Sequence, residues 1–127
     1  MKTRPLLVIV AMAIGLMGVE ASPAKADNPP MTAYCESGTL CVWWDSHYSG
    51  NRYPFQYSNP QWTDTGNAAI ANDDSSSRNN GTSGLRVSIY TGPNYTDTRV
   101  VCLAMGSYTG HHSPTDSGDS NVWVSSC

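Results

Sequence analysis

Lysine is missing beyond residue 25, glutamate occurs only at Glu20 and Glu36, phenylalanine only at Phe55, and charged side chains make up 13% of the 127 residues. A usual domain carries about twice that share of charge. So little charge excludes a coiled coil or a charged disordered tail. A net charge of −3 also leaves no basic field for gripping a phosphate backbone, so nucleic acid is not an expected partner. The one long apolar run, residues 6–19, falls short of the roughly 18 residues that cross a bilayer. There is no G-x-S-x-G elbow, no H-E-x-x-H pair and no phosphate-cradling glycine loop. His47, His111 and His112 are the only histidines, all in polar stretches where a solvated ring is the default, and the chain is expected not to be an enzyme.

The apolar run instead completes a secretory signal. Met1-Lys2-Thr3-Arg4 supplies the positive start, and Ala24-Lys25-Ala26 presents the small residues that signal peptidase reads. Residues 1–26 are therefore expected to be removed, leaving residues 27–127 as a secreted, extracellular domain without a membrane anchor. That domain has no lysine, and its four arginines against nine acidic residues give −5. With strong helix formers scarce and Thr, Tyr, Trp, Val, Ser, Asn and Gly abundant, it should be all-β.

Cys35, Cys41, Cys102 and Cys127 all lie in the exported part, where an even number can pair. Three pairings are open. Neighbourhood favours Cys35–Cys41 and Cys102–Cys127, and loop closure would then contribute about 2.4 and about 3.5 kcal/mol. A zinc site of four cysteines lacks the paired C-x-x-C spacing.

Along the mature chain, Leu40-Cys41-Val42-Trp43-Trp44 reads as a strand, residues 45–51 as a polar turn, and Arg52-Tyr53-Pro54-Phe55-Gln56-Tyr57 as a second strand that Pro54 places at a sheet edge. Residues 58–84 read as loop around Trp62 and Ala68-Ala69-Ile70-Ala71. Leu85, Val87 and Ile89 alternate and should share one buried face. A turn at residues 91–94, a strand over 98–103, a polar loop over 106–120 and a strand at Val122-Trp123-Val124 complete the chain. The order of strand, Tyr-containing turn, strand, polar loop and paired serine occurs twice, from Trp43 to Ser77 and from Tyr90 to Ser126. Such duplication implies two packed sheets related by a pseudo-twofold.

Trp43, Tyr48 and Gly50 have the spacing aromatic, four residues, aromatic, one residue, glycine; Tyr90 and Tyr95 repeat it with Asp97 in the glycine's place. Asn72-Asp73-Asp74-Ser75-Ser76-Ser77 follows the pattern (Asn/Asp)-(Asn/Asp)-x-x-(Ser/Thr)-Ser, and Asn121-Val122-Trp123-Val124-Ser125-Ser126 departs from it at Val122. On these residues, the leader and the early Cys-x5-Cys, the chain resembles the secreted bacterial metalloproteinase inhibitors of βγ-crystallin-like fold. The resemblance implies a Greek-key sandwich of two motifs, monomeric, whose partner is an extracellular, thermolysin-like metallopeptidase. It also implies a substrate-like loop, and maps the bond presented to the enzyme onto Cys102–Leu103. Leu103 would supply the bulky apolar residue such enzymes favour after the cleaved bond. No cofactor is expected. The alternative is a secreted module of the same fold without inhibitory activity, either purely structural or binding calcium through Asn72, Asp73 and Ser76 of the first motif, although Ca²⁺ needs about six to eight oxygens.

Overall fold

The computed structural model describes residues 33–127, so the expected leader and cleavage point lie outside the described residues. Seven strands form: β1 Thr39–Asp45, β2 Ser49–Phe55, β3 Ser76–Asn80, β4 Arg86–Gly92, β5 Thr96–Leu103, β6 Tyr108–Thr109 and β7 Ser120–Val124. Helical structure among the described residues is confined to three-residue 3-10 turns such as Ser46–Tyr48 and Pro93–Tyr95. All strand pairs are antiparallel, in one sheet ordered β2-β1-β3-β6 and another ordered β5-β4-β7.

The two halves exchange their third strands. β6, from the second half, pairs with β3 of the first sheet, while Asn59, from the first half, bridges to Asn121 of β7 in the second sheet. The first sheet thus contains strands from both halves, and the second, whose three strands come from the second half, is joined to the first half through the Asn59 bridge. This is the Greek-key sandwich of two motifs that the resemblance implied.

Alternation along the strands builds the core. Leu40 and Val42 of β1 and Val87 and Ile89 of β4 face the space between the sheets with Phe55, Trp62, Ile70 and Leu103, all nearly or fully buried. Leu85 lies at the rim, half-buried. The other face of β1 is covered too: Cys41 and Trp43 pack with Cys35 and Tyr48, and Ala33 and Tyr108 lie against them. The arm carrying Cys35 is held by the Cys35–Cys41 disulfide and by Arg52, which donates to Glu36 Oε1 at 2.5 Å and to the Tyr34 carbonyl at 3.0 Å. Pro54 does lie on the edge strand, the place in a sheet where a residue without an N–H is tolerated.

One expectation is corrected here. Residues 76–80, read as loop, form the strand β3 inside the first sheet. Ser-Ser-Arg-Asn-Asn carries no apolar alternation, yet Ser76, Ser77 and Asn79 are completely buried. Ladder bonds to β1 and β6 hold the strand, and side-chain hydrogen bonds replace apolar packing, so tertiary pairing overrides weak β-propensity.

Candidate functional site

The two hairpins have matching backbones. His47 and Tyr48 have φ of 56° and 61°, and Asn94 and Tyr95 have 56° and 61°. The residue two positions on is left-handed in both, Gly50 at 77° and Asp97 at 64°. Each folded-over turn also needs one Gly to make room for one Asp. A Cβ on Gly50 would stand 2.7 Å from Asp45 Oδ2, and a Cβ on Gly92 would stand 2.5 Å from Asp97 Oδ2. The first motif therefore runs Asp45 then Gly50, and the second runs Gly92 then Asp97. The aspartate in the glycine's place is a reversal of the same pair; Asp tolerates the left-handed region better than most residues.

A buried serine ties each turn to its strand. Ser76 Oγ donates to the Asp45 carbonyl at 2.8 Å, and Ser120 Oγ donates to the Gly92 carbonyl at 2.7 Å. Asp45 and Gly92 are equivalent positions, so Ser120 is the counterpart of Ser76. The second copy is then residues 116–121, five residues earlier than residues 121–126; Asn72 and Asp116, at its two starts, share a left-handed φ of 61° and 55°. Residues 121–126 follow the pattern in sequence apart from Val122, but residues 116–121 hold the equivalent place in the fold because Ser120, not Ser125, bonds to the hairpin.

Of the residues singled out for calcium, Asn72 is exposed, Asp73 is half-buried, and Ser76 is wholly buried. Ser76 Oγ, besides donating to Asp45, accepts from the Tyr48 N–H at 3.0 Å. The hydroxyl is thus committed to the hairpin, and Asp73 is the single carboxylate of the set. Cys35, Glu36 and Cys41 bring potential metal-ligand atoms within 4.8 Å of one another, but both sulfurs are in a disulfide and offer no thiolate.

The histidines correct another expectation. His47 and His111 do lie at the surface or near it, but His112 is 1% exposed. Its Nδ1 stands 2.5 Å from Asp74 Oδ2 and its Nε2 stands 2.8 Å from Ser77 Oγ. Because an ionised carboxylate only accepts, Nδ1 carries a proton, and in the neutral ring Nε2 accepts from the serine hydroxyl. The order Asp, His, Ser matches a hydrolase triad. Here, however, Asp74 and Ser77 are completely buried and Ser77 lies within the central strand β3, so no substrate reaches the hydroxyl. Asp74 Oδ1 also accepts from the N–H groups of Ser117 and Gly118, at 3.0 and 2.6 Å. The cluster is a clamp that pins the long loop before β7 to the first sheet.

Cys102 and Leu103 end strand β5, opposite Ser88 and Val87 of β4. Cys102 is bonded to Cys127 with Cα atoms 6.3 Å apart, the pairing that neighbourhood favoured. Leu103 is 6% exposed, its side chain in the core. Directly after it comes a tight turn, residues 104–107, closed by the Ser107 N–H on the Ala104 carbonyl at 2.9 Å; Gly106, at φ 82°, occupies the left-handed corner of a type II turn. Fully buried Asn79 holds both ends of it. Its side-chain amide donates to the Leu103 carbonyl, its N–H donates to Ser107, and its carbonyl accepts from Gly106, each at 2.9 Å. Met105, at the tip, is 51% exposed. Across the same end of the sandwich, Tyr57, Thr82, Leu85 and Trp123 line a shallow cavity of about 410 Å³. Sequence reasoning missed Asn79 and Met105 because neither carries a local pattern; they matter through what the fold brings beside them.

Two antiparallel sheets with exchanged third strands and paired folded-over hairpins define a βγ-crystallin-like domain. Solved structures agree. A domain from work on the evolution of the eye lens βγ-crystallin fold superimposes with a TM-score of 0.60 at 10% identity, over 77% of this chain and 91% of that one. A βγ-crystallin domain from Clostridium beijerinckii gives 0.55 at 20% identity, over 69% and 99%. The βγ-crystallin from Ciona intestinalis gives 0.55 at 12%, over 68% and 99%. Similarity at this level establishes the fold. The chain belongs to peptidase inhibitor family I36, whose sequence profile matches residues 28–103. No curated protein matches it.

Proposed function

We propose that the mature domain is a secreted, monomeric inhibitor of a zinc metallopeptidase of the thermolysin kind, and that it docks through the end of β5 and the turn behind it, from Cys102 to Ser107. Membership of the peptidase inhibitor family supports the general activity. The observation that carries the location is the rigidity of this segment. Cys102 is covalently tied to the terminus, and Asn79 bonds to Leu103, Gly106 and Ser107. Affinity of an inhibitory loop comes largely from having been ordered before binding, and a segment fixed at both ends loses little freedom on docking. No thiol is free in the chain, and the buried Asp-His-Ser cluster is sealed, so a non-enzymatic role fits the chemistry.

Purified mature protein should titrate a thermolysin-like enzyme stoichiometrically, while serine and cysteine peptidases in the same panel keep their rates. Undiminished activity of every zinc peptidase at excess inhibitor would refute the reading. Mass spectrometry of the exported protein should place its first residue at Asp27.

A further inference from the structure

We infer that the side chain this protein inserts into its target is Met105, carried on an uncleaved turn, and not Leu103 presented in a substrate-like strand; the inference rests on the inhibitor reading above. Leu103 packs in the core with Val87 opposite it, and could enter an enzyme only if the end of β5 left β4 and opened the space between the sheets. Met105 needs no such rearrangement. It stands two residues further on, half-exposed, at the tip of the turn.

The exposed large hydrophobic residues among those described are Tyr34, Trp44, Tyr57 and Met105. Tyr34 lies under the Arg52 guanidinium, and Trp44 lies at the opposite end of β1 from the turn. Met105 differs in its support. The Leu103 and Ala104 carbonyls, the Gly106 N–H and both backbone groups of Ser107 are engaged in hydrogen bonds within the turn or to Asn79. What the turn holds out to solvent is the methionine side chain. An unbranched thioether is apolar and adapts its shape, which suits a deep apolar subsite. The turn itself is uncharged, so no ionic group must be desolvated beside the side chain.

The same geometry explains how such an element would survive contact with a peptidase. A bond to be cut is bound in extended backbone, whereas the bond between Ala104 and Met105 lies in a closed type II turn. Met105 would fill the subsite while its own peptide bond stays out of line with the attacking water. The Tyr57 cavity opens on the same end of the sandwich, at the opposite edge, and provides a second contact area for a broad partner.

The test measures inhibition constants of Met105→Ala and Met105→Asp against a zinc peptidase that the wild type inhibits, with Trp44→Ser as a control at the far end. Because Met105 and Trp44 are both exposed, all three should stay folded, which thermal melting verifies. Met105→Ala is expected to weaken inhibition at least tenfold, Met105→Asp to abolish it, and Trp44→Ser to leave it unchanged. Intact mass after prolonged incubation should show an unbroken chain. Full inhibition by Met105→Asp, or accumulation of a chain cut between Cys102 and Leu103, overturns the inference while leaving the inhibitor function standing. A wild type that inhibits no zinc peptidase removes both.

Discussion

Replacing His112 by alanine separates two opposed accounts of that residue. A histidine in a solvated loop would cost less than about 0.5 kcal/mol. In the fold its ring is 1% exposed and joins Asp74 to Ser77 at 2.5 and 2.8 Å. Removing it leaves Asp74 Oδ2 and the Ser77 hydroxyl buried without their partner, and breaking a buried, charge-assisted pair costs about 3–5 kcal/mol. Two features place the loss toward the lower figure: Asp74 Oδ1 keeps its bonds from Ser117 and Gly118, and a water can enter the vacated space. About 3 kcal/mol is a large part of the roughly 5–15 kcal/mol that holds a domain together. Urea unfolding followed by tryptophan fluorescence reports it directly, since the Trp62 ring lies close to Gly118, beside Asp74. The midpoint of His112→Ala should fall by at least about 1 M at the usual slope for a domain of this size. His111→Ala, which loses one exposed contact with Ser46, should stay within about 0.5 kcal/mol of wild type. Equal midpoints for the two variants would refute the clamp.

Other outcomes follow from the same contacts. Burial, and next the nearby Asp64 carboxylate, raise the Asp119 carboxyl above its ordinary 3.8. Its charged form is therefore disfavoured in the fold, so its favourable contribution is present below that value and is lost as pH rises through the raised one. Asp119→Asn should be the more stable protein at neutral pH, with the advantage shrinking below about pH 4, as melts across a pH series will show. Gly50→Ala meets both a φ of 77° and a contact of 2.7 Å with Asp45, and should cost about 1–3 kcal/mol by chemical denaturation. Gly66→Ala, with nothing within 4 Å, should change stability by less than about 0.5 kcal/mol. Cys127→Ser, made together with Cys102→Ser, should lose about 3.5 kcal/mol, the loop-closure figure for a separation of 25 residues, and should weaken inhibition by loosening the approach to the turn.

Much of the architecture was legible because it rests on local physics. Alternation at Val87 and Ile89, the edge position of Pro54, the hairpin around Tyr48 and Gly50, and the nearest-neighbour cysteine pairing all appear in the fold as read. The candidate docking segment was legible only in outline. Resemblance led to the end of β5, but the inward direction of Leu103 follows from its partner Val87 and from the second sheet above it. β3 escaped detection because its stability comes from neighbours on both sides and from buried hydroxyls, not from an apolar pattern of its own.

By itself, then, the sequence determined an all-β chain of two similar halves, with four cysteines able to pair and the residue types each folded hairpin requires. Only the tertiary structure decided that Ser120 answers Ser76, that His112 is a buried clamp, and that Met105 is what the turn displays. Strand periodicity and turn chemistry act over a few residues and are written in order along the chain. Asp74 and His112 lie 38 residues apart and Asn79 and Leu103 lie 24 apart, so their contacts exist only once the exchanged strands have closed the sheets.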